Sequence, residues 1–176
     1  VFGVALDDVT PEMRARAKTV NFGILYGMST HGLAQRLGIP RSQAKQIIDH
    51  YFRSYPKIRE FIDRTIRFAR ETGYVETLTG RRRYLPDINS ANATVRGAAE
   101  RNAINTPVQG TAADMIKIAM GRIHQEIKQR GLRSRMVLQI HDELLFDLYS
   151  PEEAELKSLV EHAMRTALSL EVPIEV

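Results

Sequence analysis

The chain has 176 residues, 43% of them hydrophobic and 26% charged, which is about one domain with enough chain to bury a core and excludes collagen-like, low-complexity and wholly disordered proteins. It contains no cysteine, so disulfides, thiol catalysis and thiolate metal sites are excluded, and any metal must be held by oxygen or imidazole, as suits Mg²⁺, Mn²⁺ or Ca²⁺. The net charge of +4 is segregated: residues 1–110 carry 17 Lys and Arg against 10 Asp and Glu, and residues 111–176 carry 8 against 11, so an Arg-rich front suited to phosphate, or simply a solvated basic surface, precedes an acidic back.

Along the chain, the first eight residues lack the charged and apolar regions of a signal peptide, and no apolar run approaches the span of a membrane helix; the expected location is cytoplasmic. Thr10-Pro11-Glu12 marks a helix start, with Thr10 as cap, Pro11 in the first turn and Glu12 favoured by the dipole. That helix is expected to run to about Tyr26, with Gly27 as its stop. Ser29 can cap a short helix through Leu37 that ends at Gly38. Ile47, Ile48, Tyr51, Phe52 and Tyr55, then Ile58, Phe61, Ile62 and Ile66, fall at helical spacing and predict two helices broken or kinked at Pro56, with Gly73 after the second. Residues 74–86 read as a small basic hairpin or loop.

A helix is expected from about Asn92 to Asn105, interrupted at Pro107 and Gly110, and resuming with Ile116, Met120, Ile123 and Ile127 on one face until Gly131. Residues 135–140 and 144–148 are strand-like runs joined by His141-Asp142-Glu143, a hairpin with acid at its tip. Ser150-Pro151-Glu152-Glu153 is expected to cap a last helix, and residues 172–176 to begin a strand.

Three groups of residues can carry chemistry. Arg14, Lys18, Phe22 and Tyr26 recur every four residues and so line one helix face. Two cations and two aromatics in that order suit a triphosphate with its sugar and base; an amphipathic helix with core aromatics is the alternative. Asp142 and Glu143 place charge beside apolar strands, where a carboxylate binds a cation or has a specific partner. Arg101, Asn105, Gln109 and His141 are donors with small residues nearby, fit for minor-groove acceptors that test base-pair shape, or for capping around Pro107. The run Arg81-Arg82-Arg83 is a phosphate-binding candidate or a solvated loop.

The segment MRARAKTVNFGILYGMS, containing Arg14-x-x-x-Lys18-x-x-x-Phe22-x-x-x-Tyr26-Gly27, closely resembles motif B of the family A DNA polymerases, the bacterial DNA polymerase I type. LQIHDELLF resembles their motif C, and TGRRRYLPDI and AAERNAINTPVQGTAADMIK are also similar, in register, so the resemblance covers nearly the whole chain. It implies that Arg14 and Lys18 bind the phosphates of an incoming deoxynucleoside triphosphate and that Phe22 packs on its sugar and base. Phenylalanine there, where some members carry tyrosine, implies poor acceptance of dideoxynucleotides. Tyr26 is implied to sit beside the templating base and move on closure.

The resemblance further makes Asp142 the motif C metal-binding carboxylate, one of two that hold paired Mg²⁺ ions. Glu143 is then a supporting acid, with Lys18 counted beside them in the catalytic set. Arg81, Arg82, Arg83, Arg101, Asn105, Gln109 and His141 are implied to touch primer-template DNA.

The Asp-Tyr-Ser-type motif A, which supplies the other aspartate, has no counterpart here. The chain is therefore expected to be a fragment of a longer protein, inactive alone, whose upstream thumb and remaining palm complete it. The expected fold is α+β, with a mostly helical fingers portion over residues 1–73 and a palm portion with an antiparallel hairpin over residues 74–176. The expected activity is template-directed nucleotidyl transfer to a primer 3′ end in replication or repair, against the alternative of a non-catalytic nucleic-acid-binding module. That alternative would need the basic front but not Asp142.

Overall fold

The computed structural model describes residues 4–176, Leu6 by its backbone alone. The leader-free reading of the first residues begins on Val1, Phe2 and Gly3, which lie outside the described residues. The fold is α+β and mostly helical: a helical turn at Leu6–Asp8, then α1 (Pro11–Leu25), α2 (Thr30–Leu37), α3 (Arg41–Ser54), α4 (Pro56–Thr72), β1 (Tyr74–Glu76), β2 (Arg82–Tyr84), α5 (Ala93–Asn105), α6 (Thr111–Arg130), β3 (Arg135–Ile140), β4 (Glu143–Asp147) and α7 (Glu153–Arg165). Among the described residues no helix is long and apolar enough to cross a membrane.

The helix ends follow their local chemistry. The Thr10 hydroxyl accepts from the Met13 amide at 3.2 Å, and the Ser29 hydroxyl accepts from the Gly32 amide at 3.2 Å, each satisfying a donor that the first turn leaves orphaned. Gly38, Gly73 and Gly131 close α2, α4 and α6 in the left-handed region, where a side chain would be strained. Pro56 cannot continue the ladder of α3 but fits the first turn of α4, so the expected break is a clean restart.

Contacts divide the chain into two compact units, residues 1–108 and 109–176. The first holds two apolar clusters. Val20, Ile24, Leu33, Ala34, Ala44 and Tyr51 join α1, α2 and α3. Ala69, Val75, Leu85, Ile88, Ala99 and Ala103 join α4, the β1–β2 hairpin and α5. The second unit packs Ala119 and Ile123 of α6 against Leu159 and Ala163 of α7 and Ala167 beyond it, with Leu144 and Phe146 of β4 laid against them. Burying a side chain the size of Ile123 contributes about 2–3 kcal/mol. Fingers and palm are functional names that rest on the family resemblance, and the compact units part further along the chain than the 73/74 boundary those names imply.

Between α5 and α6 the helix widens into a single π turn over Thr106–Gly110. Pro107 has no amide hydrogen to give to the Ala103 carbonyl, so the regular ladder is interrupted there; one residue earlier the Asn102 carbonyl accepts both the Thr106 amide and, at 2.7 Å, the Thr106 hydroxyl. This is the interruption expected at Pro107 and Gly110, resolved as a bulge. Turns of this kind recur where a helix must re-aim side chains.

Three local expectations are corrected. Glu143 pairs with Ile140 as the first residue of β4, so the turn is His141-Asp142 alone, because a two-residue loop matches the strand twist better than three. Residues 172–176 form no strand among the described residues, since no neighbouring backbone meets their amides. The last helix is not capped by the Ser150 hydroxyl: α7 follows a short 3-10 turn and has no side-chain cap.

At that junction the Glu152 carboxylate reaches instead to the root of the hairpin. It accepts from the Arg133 amide at 2.9 Å, the Ser134 amide at 2.9 Å and the buried Ser134 hydroxyl at 2.7 Å. These bonds favour the ionised form, and they hold Glu152 below the ordinary glutamate value of 4.5, with the Arg133 amide the largest cause. A carboxyl depressed on folding contributes stability that is present above its unfolded value and is lost as pH falls through the folded one. Glu152→Gln is therefore expected to lower the melting temperature at neutral pH, and the gap from wild type is expected to close as pH falls from neutral through the ordinary glutamate value and on below it. Thermal denaturation across that range reads it; a gap independent of pH would rule out the carboxylate as its source.

Candidate functional site

The sequence places the four-residue stripe on α1, and the fold decides what each member meets. Val20, Gly23 and Ile24 are the buried residues of α1, so its apolar side lies away from Lys18 and Phe22. Phe22 is 49% exposed, which excludes the reading of that ring as core. Its ring stacks on Tyr26 with centroids 6.0 Å apart and planes 17° from parallel, a flat apolar surface open to a ligand.

Lys18, Phe22 and Tyr26 line a pocket of about 480 Å³ together with Thr19, Gly23, Met28, Arg36 and Arg101. Arg14, one turn earlier and exposed, does not line it. The pocket thus gathers three cations from three helices around two stacked rings, a combination that attracts an anionic group carrying a flat ring. Arg36 and Met28 are members that the reading of the sequence missed. Arg36 sits in the last turn of α2, where a basic residue is explained equally well by the helix dipole, so only the packing of α2 on α1 reveals it.

Arg101 belongs here because the chain turns sharply after Tyr26. Gly27 has φ +77, and a Cβ built on it would lie 3.1 Å from Ile104 Cδ1 and 3.3 Å from Arg101 Cγ. Glycine is needed twice over, for the dihedral and for the close approach to α5. One α5 turn after Arg101, the Oδ1 of Asn105 is buried and accepts no hydrogen bond. An unpartnered buried acceptor costs about 1–3 kcal/mol, and such a cost is retained where a function uses the group.

The arginine run is not uniform. Arg82 Nε donates to Glu76 Oε1 at 2.7 Å and its guanidinium lies 4.5 Å from the Tyr74 ring centroid; the bond to Glu76 is the first cause of its raised pKa. Arg82 is engaged within the hairpin, which leaves the exposed Arg83 better placed for an outside phosphate.

In the second unit, β3 and β4 pair antiparallel from Arg135 and Asp147 to Ile140 and Glu143, with a bulge between Met136 and Leu138. Leu144 and Phe146 pack inward, while their alternates Leu145 and, across from it, Leu138 are 51% and 42% exposed. The turn holds Asp142 at the exposed tip. His141 takes φ +54, the one non-glycine in the left-handed region among the described residues. Gln139 Nε2 donates to the His141 carbonyl at 2.6 Å and braces it.

A left-handed φ costs a side chain about 1–2 kcal/mol, while glycine loses about 0.5–1 kcal/mol in chain entropy. His141→Gly is therefore expected to leave hairpin stability unchanged or raise it by up to about 1 kcal/mol. Thermal denaturation checks the sign, and a clear loss would show that the imidazole itself holds the turn.

Asp142, Glu143 and Leu144 line a pocket of about 680 Å³ floored by Ala112, Met115, Ile116 and Ala119 of α6 and Val160 and Met164 of α7, with Glu175 adding a third carboxylate. Hard oxygen ligands at a solvent-facing tip suit a divalent cation. Among the described residues, though, no three His, Asp or Glu come together closely enough to hold one. Asp142 and Glu143 fit as part of a metal site and do not make a whole one. Of the expected donors, Arg101 and Asn105 fall in the first compact unit and Gln109 and His141 in the second.

The sequence model described as DNA polymerase family A matches residues 1–176. The chain is 49% identical over its whole length to DNA polymerase I of Caldicellulosiruptor bescii and 51% identical to the thermostable DNA polymerase I of Thermus thermophilus, covering 21% of each. Among solved structures it superposes on the POL domain of Pol1 from M. smegmatis, in complex with DNA primer-template and dNTP, with a TM-score of 0.94, 48% identity, 99% of this chain and 31% of that one. The fold is thus the α+β fold of a polymerase domain, carried here by about a fifth of the length of those curated relatives. The chain belongs to DNA polymerase family A.

Proposed function

We propose that the protein to which this chain belongs is a template-directed DNA polymerase, transferring a nucleotidyl group from a dNTP to a primer 3′ end in DNA replication or repair. The observation that carries the reading is the α1 pocket, where Lys18, Arg36 and Arg101 surround the stacked, exposed rings of Phe22 and Tyr26. That is the chemistry a triphosphate with a flat base requires. The solved relative from M. smegmatis, which holds primer-template and dNTP, supports it independently.

In this reading residues 1–73 act as fingers and residues 74–176 as part of the palm. The Lys18 ammonium and Arg14 guanidinium neutralise the triphosphate, Phe22 packs against sugar and base, and Tyr26 flanks the templating base. The primer 3′-oxygen attacks the α-phosphorus, a new ester bond forms, and the bond to pyrophosphate breaks. Asp142 would hold Mg²⁺, with Glu143 supporting it and a second carboxylate supplied from outside this chain. When bound, the ion acidifies the attacking hydroxyl and stabilises the charge of the leaving pyrophosphate.

His141, Gln109, Asn105 and Arg101 present donors to the minor groove, where correct pairs offer acceptors at nearly the same positions. Of the arginine run, which this reading sets against the DNA backbone, Arg83 meets it more readily than Arg82, which Glu76 already engages. The reaction takes place in the cytoplasm, and the 176 residues alone are inactive because one metal-binding carboxylate and the duplex grip are not among them.

Single-nucleotide primer extension with Mg²⁺ by the full-length protein, wild type against Asp142→Ala and Lys18→Ala, tests the reading. Loss of incorporation with DNA binding retained supports it. Equal extension by all three proteins sinks it, and DNA binding without extension by any of them moves the non-catalytic binding module ahead.

A further inference from the structure

α1 presents the proposed nucleotide-binding side chains, yet little holds its orientation about its own axis. Val20 and Ile24 bury their side chains in the cluster shared with α2 and α3, but apolar packing is non-directional and tolerates small rotations. Arg16 Nη2 donates to the Leu37 carbonyl at 3.3 Å, an exposed and long bond. Among the described residues, one side-chain to side-chain hydrogen bond ties α1 to the rest of its unit: Tyr51 Oη of α3 donates to Asn21 Oδ1 at 2.8 Å.

The two ends of that bond are unlike. Tyr51 is 8% exposed, its ring set edge-on to Phe52 at 5.8 Å and tilted against Tyr55 at 5.1 Å, so its hydroxyl is a fixed point. Asn21 is exposed, three residues after Lys18 and one before Phe22. Residues three apart are neighbours on a helix surface. Side-chain atoms sit about 5–6 Å from the helix axis, so a turn of about 10° carries them about 1 Å, enough to break a hydrogen bond. Any rotation that re-aims Lys18 and Phe22 must therefore stretch the Asn21 bond.

We propose that Tyr51 and Asn21 are positioning residues that set the angle at which α1 offers Lys18 and Phe22 to the nucleotide. This rests on the reading that α1 receives the dNTP. Neither residue touches the nucleotide in that reading, because Asn21 and Tyr51 line a separate pocket with Gln43, Gln46 and His50, which shares no residue with the pocket of Lys18 and Phe22. The bond acts through Lys18 and Phe22, so its loss should weaken ground-state and transition-state binding alike and show in KM.

The test is steady-state single-nucleotide incorporation by the full-length polymerase carrying Tyr51→Phe, Asn21→Ala, both together, or Asn21→Asp, with Lys18→Ala alongside and DNA affinity and melting temperature measured for each. Loss of one hydrogen bond should raise the KM for dNTP about three- to tenfold in each single variant, with kcat within about twofold and DNA affinity unchanged. The double variant should be no worse than either single one, since both remove the same bond. Asn21→Asp keeps an acceptor and should stay near the wild-type KM.

Asn21→Ala with the wild-type KM, or a double variant whose effects multiply, overturns the proposal. Asn21 is exposed, so the result stands even if Tyr51→Phe folds poorly. A raised KM in Lys18→Ala with none in Asn21→Ala removes this inference alone. No change in either removes the nucleotide assignment of α1 as well.

Discussion

Asp142→Ala in the full-length protein is expected to lower single-nucleotide incorporation by about 10³-fold or more, because a lost ligand of a charge-stabilising cation is worth several kcal/mol at the transition state. The structure makes this a clean experiment. Asp142 is exposed at the hairpin tip and is engaged in no hydrogen bond or ion pair among the described residues. Its removal should therefore shift stability by no more than about 0.5 kcal/mol. DNA affinity should hold or rise slightly, since a negative charge facing phosphates is deleted. Rapid-quench primer extension with a parallel DNA-binding titration reads both quantities. Incorporation within tenfold of wild type would remove Asp142 from the catalytic set and, with it, the metal assignment.

Lys18→Ala should act on the nucleotide and spare the fold. Alanine is the best helix former, and Lys18 is an exposed residue in the middle of α1, so the helix survives the change. A charge-assisted bond to phosphate contributes about 1.5–3 kcal/mol, which predicts a rise of about 10- to 150-fold in the nucleotide KM, with kcat falling too if charge grows on the triphosphate during transfer. Arg14→Ala should cost less, because Arg14 lies outside the pocket that Lys18 lines. Nucleotide titrations of the two variants side by side decide the order. A larger effect from Arg14 would mean that the pocket seen in this structure is not the one the nucleotide occupies.

The helices were legible because their signals act within one turn. Thr10 and Ser29 cap amides three residues away, and Gly38, Gly73 and Gly131 stop helices through their own dihedrals. The hairpin tip was legible nearly to the residue for the same reason. Glu143 was misplaced because polar character marks a turn only loosely, while the pairing that puts it in β4 depends on the partner strand. Ser150 failed as a cap because Glu152, two residues on, was drawn to amides at Arg133 and Ser134, a contact across eighteen residues that no local pattern announces.

The candidate site divides along the same line. Composition, charge segregation and the four-residue stripe on α1 pointed to a phosphate-bearing ligand while leaving a solvated basic surface open, and the motif resemblance pointed to the family that the whole-chain match bears out, since these signals are carried by residues close together in the chain. Only packing decided that Phe22 faces solvent, that Arg36, Met28 and Arg101 join Lys18 around one pocket, that Arg14 stays outside it, and that Arg82 is held by Glu76. It also decided the bond from Tyr51 to Asn21 across thirty residues. Side-chain period tells which residues share a face of a helix; which neighbour that face meets depends on burying apolar area across the whole unit, and that balance is settled by tertiary contacts.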